Sequence, residues 1–70
     1  MRGKTRHIRG YLSNLRLGRE FTCKEIAKEM DDGTYYITSN TIARYVNSMD
    51  IFIRLRYDRH ERCWVYKKVR

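Results

Sequence analysis

The chain has 70 residues and a formal net charge of +8, from 16 Lys or Arg and 8 Asp or Glu. We expect a single domain over residues 1–70, because so short a chain buries only about 60% of its unfolded surface and has no room for an enzyme cleft beside a second module. It lacks both the roughly 18 consecutive apolar residues of a membrane span and the apolar stretch of a secretory signal. We therefore expect a cytoplasmic protein, nucleoid-associated or, in a eukaryote, nuclear.

Basic residues are concentrated at the two ends of the chain. Residues 1–19 carry six Lys or Arg and no acid, residues 51–70 carry seven basic and two acidic residues, and residues 20–50 have a net charge of −3. Charge needed only for solubility has no reason to be sorted in this way. Two basic flanks around a central element suit contacts with phosphates, so the distribution favours a nucleic-acid partner.

The first predicted helix runs from a cap at Thr5 to about Leu17 and ends at Gly18. One face of it has the i, i+4, i+7 spacing of a buried stripe, formed by Ile8, Leu12 and Leu15. Gly10 lies inside this helix, where glycine costs roughly 1 kcal/mol against alanine, so either the helix is weak there or another backbone packs closely. We expect residues 1–4 to be loose.

The second and third predicted helices begin alike. In each, a threonine can cap the helix, with an apolar residue just before it and another four places after it, a pattern that satisfies free backbone donors and fixes the entry of the chain. The two sets are Phe21, Thr22 and Ile26, and Ile37, Thr38 and Ile42. Glu25 adds a capping box to the first set. We expect the second helix to stop at Asp31-Asp32-Gly33, and the third to run from Thr38 or Ser39 to about Met49 after an extended Tyr35-Tyr36-Ile37 link.

From Ile51 the apolar period changes to two, which predicts a half-buried strand, and a second strand follows over residues 62–69. The loop between them, residues 58–61, has no glycine, so a four-residue loop on a type I turn is favoured. An even loop gives the pairs Leu55–Trp64 and Ile53–Tyr66 and buries the aromatic rings, whereas an odd loop buries Cys63 and Val65. We favour the even register because it buries more aromatic area.

The order of a helix, a short extended link, two capped helices and a two-stranded hairpin resembles the winged helix-turn-helix DNA-binding domain, over about residues 5–69. Residues 21–27 (FTCKEIA) are similar to the start of that family's second helix, and residues 39–46 (SNTIARYV) to its recognition helix. The resemblance implies an α+β fold, a three-helix winged helix-turn-helix with a C-terminal β-hairpin wing. The connection from Met30 to Thr38 is longer than the turn of about three or four residues in the simplest helix-turn-helix.

In that family the third helix lies in the major groove and the wing rests on an adjacent groove or the backbone. Carried over, the resemblance assigns base reading to Ser39, Asn40, Thr41, Arg44 and Ser48, and backbone contacts to Arg54, Arg56, Arg59 and Arg62. The chemistry of these side chains agrees, since Asn suits adenine, Arg suits guanine, and the Arg fork binds phosphate or enters a narrow minor groove. The alternatives are a merely solvated helix face and a hairpin whose charges protect its edge from aggregation.

We therefore predict sequence-specific binding of double-stranded DNA by a small transcriptional regulator that acts by occupancy, with a homodimer on a two-fold symmetric site left open. One rival is a winged helix that binds structured RNA or a ribosome. Another is a protein-interaction adaptor whose basic surface meets an acidic partner. We expect no membrane partner and no small-molecule effector.

Other reactive and aromatic residues do not support an enzyme. His7 and His60 lie far apart and have no carboxylate beside a nucleophile, so we predict no catalytic site, metal or cofactor. Cys23 and Cys63 lack the paired spacing of a zinc or dithiol site, and we expect them to be buried small hydrophobes. The aromatic side chains could stack on bases, as in single-strand binders, but their positions favour core or staple roles for Trp64, Tyr66 and the Tyr35-Tyr36 pair.

Overall fold

The computed structural model describes residues 2–31 and 37–70, with side chains from Thr5 onward. In these residues the helices are α1 (Arg2–Ser13), α2 (Cys23–Met30) and α3 (Ser39–Ser48). The strands are β1 (Glu20–Thr22), β2 (Phe52–Asp58) and β3 (Cys63–Lys68). They form one antiparallel sheet in the order β1-β3-β2, which confirms the predicted α+β class and the C-terminal hairpin. The described part of the chain holds no helix with the length and apolar character needed to cross a bilayer.

The first helix starts earlier than predicted. It begins at Arg2, so Thr5 lies inside α1 and does not cap it. The Thr5 Oγ1 atom is instead 3.0 Å from the Tyr45 hydroxyl of α3, which makes the threonine a contact between two helices. The predicted stripe is correct, because Ile8, Leu12 and Leu15 are all buried.

The first helix also ends earlier than predicted, at Ser13 rather than near Leu17. The Nζ atom of Lys68 in β3 donates to the carbonyl oxygens of Ser13 and Leu15, the latter at 2.8 Å, and so satisfies the end of the helix. Gly18 is therefore not the stop. It lies in the turn that follows, with φ of +88°, and its N–H donates to the Lys68 carbonyl at 2.8 Å.

The starts of α2 and α3 are as predicted. Thr22 Oγ1 accepts from the Glu25 N–H at 3.2 Å and Glu25 Oε1 accepts from the Thr22 N–H at 2.9 Å, which completes the capping box. Thr38 caps α3 by accepting from the Thr41 N–H at 3.3 Å. The apolar partners on either side of both caps are buried. The end of α2 at Met30, with Asp31 as its C-cap, agrees with the predicted stop at Asp31-Asp32-Gly33. Asp32, Gly33 and the Tyr35-Tyr36 pair lie outside the described residues.

The short extended link predicted before α2 is a β-strand, β1. Its three residues pair with β3, with Phe21 opposite Tyr66 and Thr22 opposite Val65. The sheet therefore has three strands where the sequence predicted two, and β3 is the central one. This explains why Tyr66 and Val65 are both buried although neighbouring side chains point to opposite faces of a sheet.

The predicted register of the hairpin is wrong. The loop does have four residues, but they are residues 59–62, and Tyr57 pairs with Trp64 in place of Leu55. A bulge between Arg54 and Arg56 then shifts the register by one, so that Arg54 and not Ile53 lies opposite Tyr66. The bulge carries no glycine that would have indicated it in the sequence.

We call the side of the sheet that carries Phe21, Phe52 and Tyr66 the core face, and the opposite side the outer face. The Phe21 ring centroid is 5.3 Å from that of Phe52 and 6.0 Å from that of Tyr66, and the three helices cover these rings. The core face continues past Tyr66 to Trp64 and Tyr57, which are 38% and 49% exposed. Trp64 is thus not the core residue that the sequence predicted, because the hairpin extends beyond the helices.

Candidate nucleic-acid interface

The polar face of α3 consists of Asn40, Arg44, Asn47 and Ser48, all of which are exposed. The opposite side of the helix is anchored in the core by Ile42 and Val46, at 0% and 2% exposure. Residues 39–48 contain no acidic side chain, so nothing on this helix repels a phosphate. The predicted outward orientation is therefore observed for Asn40, Arg44 and Ser48.

Three of the predicted reading residues are less exposed or partly engaged. Ser39 and Thr41 are half-buried, and the Thr41 Oγ1 atom is 3.1 Å from Thr38 Oγ1 in the cap of the helix. The Ser48 hydroxyl donates to the Tyr45 carbonyl at 2.9 Å. A hydroxyl that donates locally still has lone pairs to accept with, so Ser48 remains able to accept from a base amino group.

A groove of about 290 Å³ lies between α1 and α3 and extends the polar face of α3. It is lined by Arg9, Thr41, Arg44, Tyr45 and Ser48. The Arg9 guanidinium lies 5.9 Å from the centre of the Tyr45 ring, which holds it beside α3. Within the described residues neither Arg9 nor Arg44 forms an ion pair, so both are available to an anion. The position of Arg9 beside α3 is set by the packing of two helices, which no local sequence pattern specifies.

The four predicted arginines of the hairpin do not lie on one surface. Arg54 lies on the core face, with its guanidinium 4.6 Å from the centre of the Trp64 ring. Arg56 lies on the outer face, where it forms an ion pair of 3.2 Å with Glu20 of β1. Arg59 and Arg62 are exposed in the turn, and Arg62 has the left-handed φ of +57°. Only Arg54 is on the same side of the sheet as α3, so Arg56 is not part of one surface with the polar face of α3.

The outer face carries the opposite charge. A second groove, of about 300 Å³, lies between the hairpin and the start of α2, and the carboxylates that line it are Glu20, Glu25, Asp58 and Glu61. Arg56 is the basic residue among its lining side chains. We call this the acidic groove. With four carboxylates and one guanidinium among its lining side chains, this groove is unfavourable for a phosphate.

Several basic residues already have a partner within the protein. Lys68 is buried against the end of α1, and Arg70 lies 3.5 Å from Asp50. Arg19 forms an ion pair with Glu29, which also accepts from the Tyr11 hydroxyl, and these contacts hold the pKa of Glu29 below its ordinary value. The net charge of the chain therefore overstates the number of cations that can contact phosphates.

Comparison with protein-family models, with curated proteins and with solved structures gives no match to this chain.

Proposed function

We propose that this chain is a winged helix-turn-helix protein that binds double-stranded DNA, with α3 in the major groove and the hairpin beside it, and that it regulates transcription by occupancy. The observation that carries the proposal is the polar face of α3, which is exposed, free of acids and continuous with Arg9 of α1. Four of the carboxylates, Glu20, Glu25, Asp58 and Glu61, line a separate groove on the outer face.

The dimensions of α3 support insertion into the major groove. Its ten residues span about 15 Å at 1.5 Å per residue. A helix with its side chains is about 10–12 Å in diameter and the major groove of B-DNA is about 12 Å wide, so α3 can lie in the groove with its polar face toward the bases. Asn40 and Arg44 are one turn apart on this face and supply the amide and guanidinium groups that bind adenine and guanine in bidentate geometry.

The size of the molecule supports a short site for each copy. Its longest dimension is 31 Å, which is slightly less than one turn of duplex, about 34–36 Å. A single α3 therefore reads only a few base pairs. Two copies on a two-fold symmetric site would lengthen the recognised sequence, and a homodimer on DNA is part of the proposal.

The test is selection from a randomised duplex pool, followed by measurement of Arg44→Ala on the selected site and on unrelated duplex. If Arg44 contacts a base, the variant loses about 1–3 kcal/mol of discrimination between the two duplexes and little of its affinity for unrelated DNA. Arg16→Ala is the matched control, because Arg16 is an exposed arginine beyond the end of α1, outside the groove that α1 forms with α3.

Equal loss of affinity for both duplexes would reduce Arg44 to a phosphate contact and contradict base reading. The same measurement with double-stranded RNA at matched salt separates the RNA-binding alternative, which predicts that RNA competes as well as DNA. If the protein binds neither nucleic acid at low salt, the proposal is refuted, and the protein-interaction adaptor remains as the alternative.

A further inference from the structure

Three side chains of the hairpin form an exposed cluster that the fold does not use. Tyr57 and Trp64 are opposite each other in the register, with ring centroids 5.4 Å apart in an edge-to-face arrangement. The Arg54 guanidinium lies 4.6 Å from the centre of the Trp64 ring. We call Arg54, Tyr57 and Trp64 the aromatic hairpin cluster. It is the continuation of the core face beyond the helices.

Stability of the hairpin does not account for the cluster. A cross-strand aromatic pair contributes roughly 0.2–1 kcal/mol to a sheet, but it does so equally well when it is covered. Here the two rings are 49% and 38% exposed, although exposed large aromatic side chains are unfavourable in water. An exposed tryptophan flanked by an arginine and a tyrosine has the composition of a binding surface.

The charges around the cluster select the kind of ligand. Asp58 pairs with Cys63, one position along from the Tyr57–Trp64 pair, so its carboxylate belongs to the other face. It lines the acidic groove together with Glu61. The cluster itself holds the guanidinium of Arg54 and no carboxylate, and Arg59 and Arg62 follow in the turn. A flat aromatic ring can stack on a nucleobase, and the neighbouring cations can bind the phosphates attached to that base.

We propose that the aromatic hairpin cluster stacks on an unpaired base of a DNA strand, so that the protein binds duplex DNA next to a single-stranded segment. The proposal deepens the proposed function and rests on it for the class of ligand. A paired base has both faces covered by its neighbours in the duplex, so a tryptophan ring can stack only on a base that has left the helical stack.

The position of the cluster connects the two parts of the ligand. Tyr66, two residues after Trp64 on the same face, donates from its hydroxyl to Asn47 Oδ1 of α3 at 3.4 Å. Tyr66 thus lies between the cluster and Asn47 in the C-terminal half of α3. In the proposed complex, a strand that leaves the duplex at this end of α3 can reach the hairpin.

The chain has one tryptophan, so its fluorescence reports on the proposed contact alone. The experiment titrates the wild-type protein with a blunt duplex, with the same duplex carrying an oligothymidine overhang, and with an overhang of equal length made of abasic residues. Stacking on Trp64 predicts strong quenching by the oligothymidine overhang, and little by the blunt duplex or the abasic overhang. Equal quenching by all three ligands, or by none, would overturn the proposal.

Variants test the contribution of the cluster to affinity, measured by anisotropy of labelled DNA. Trp64→Ala is expected to lower the affinity for the overhang duplex by about 5- to 150-fold and to leave that for the blunt duplex unchanged. Trp64→Phe keeps a ring and should retain most of the preference, which separates stacking from misfolding of the hairpin. Ile53→Ala is the control, since Ile53 is 45% exposed in the other strand of the hairpin, β2, and lies on the outer face opposite Lys67.

The outcomes distinguish this proposal from the proposed function. If the protein binds the blunt duplex through Arg44 but shows no preference for an overhang, stacking is refuted and duplex binding stands. If single-stranded DNA quenches Trp64 while Arg44→Ala changes no affinity, stacking stands and reading by α3 is refuted. A cluster that instead serves a protein partner predicts that no DNA quenches Trp64.

Discussion

Lys68 is a charged residue that the fold places in the interior, so its charge does not contribute to the protein surface. The alternation of side chains along β3 places Lys68 on the core face, where it is 8% exposed. Its ammonium group donates to the carbonyl oxygens at the end of α1. Hydrogen bonds from a charged donor to such carbonyls are stronger than neutral ones. Lys68 therefore stabilises the junction of α1 and the sheet and takes no part in the proposed DNA contacts.

Cys23 gives a prediction for alkaline pH. Burial, and secondarily the neighbouring Cys63, raises the pKa of the Cys23 thiol to about 11, from an ordinary value of 9.0. The unfolded thiol therefore ionises above about pH 9 while the folded one stays protonated, so the free energy of unfolding falls as the pH rises from 9 toward 11. The loss is up to about 1.4 kcal/mol per pH unit in this window.

The measurement is chemical denaturation of the wild type and of Cys23→Ala between pH 8 and pH 10, with reductant present. The variant should lose the part of the pH dependence that belongs to this thiol, while the effect of the Tyr11 hydroxyl, whose pKa Glu29 raises, remains in both proteins. Parallel profiles for the two proteins would show that Cys23 does not titrate differently on unfolding.

At the scale of elements, local signals predicted the starts of α2 and α3 but not the bounds of α1 or the register of the hairpin. The threonine caps of α2 and α3 lie within three residues of the groups that they bind, so their sequence pattern was sufficient. The end of α1 depends on Lys68, more than fifty residues away, and no local pattern contains it. The exposure of Trp64 likewise depends on how far the helices extend over the sheet, which their spacing of apolar residues does not specify.

Replacing either of two glycines by alanine is predicted to change the stability of the protein, in opposite directions. Gly10 lies inside α1, is exposed, and a Cβ atom there would have no neighbour within 4 Å, so close packing is not the reason for this glycine. Gly10→Ala should stabilise the protein by about 0.5–1 kcal/mol through higher helix propensity. Gly18 also has open space around it, but its φ of +88° disfavours any side chain. Gly18→Ala should therefore destabilise by roughly 1–2 kcal/mol.

Urea denaturation of the two variants and the wild type tests this pair. The two substitutions add the same methyl group, so each serves as the control for the other. A destabilising Gly10→Ala would mean that the glycine is needed for a contact beyond the described residues, and a neutral Gly18→Ala would mean that the turn can change its backbone conformation.

At the scale of the whole molecule, basic and acidic side chains lie on different surfaces. Arg9, Arg44 and Arg54, which come from the N-terminal, central and C-terminal parts of the chain, lie on or beside the surface formed by α3 and the core face of the hairpin. Glu20, Glu25, Asp58 and Glu61 lie together in the acidic groove on the outer face. The sequence could predict that basic flanks exist, but not that Arg56 and Lys68 leave this surface, since both assignments depend on strand pairing.

The most direct measurement of duplex binding by α3 is an NMR titration of the ¹⁵N-labelled protein with the selected duplex. Binding as proposed predicts the largest changes in amide shift at Asn40, Arg44 and Ser48, smaller ones at Arg9 and Arg54, and none around the acidic groove at Glu20 and Glu25. Changes confined to the acidic groove, or an unchanged α3 at a duplex concentration that saturates binding, would contradict the proposal.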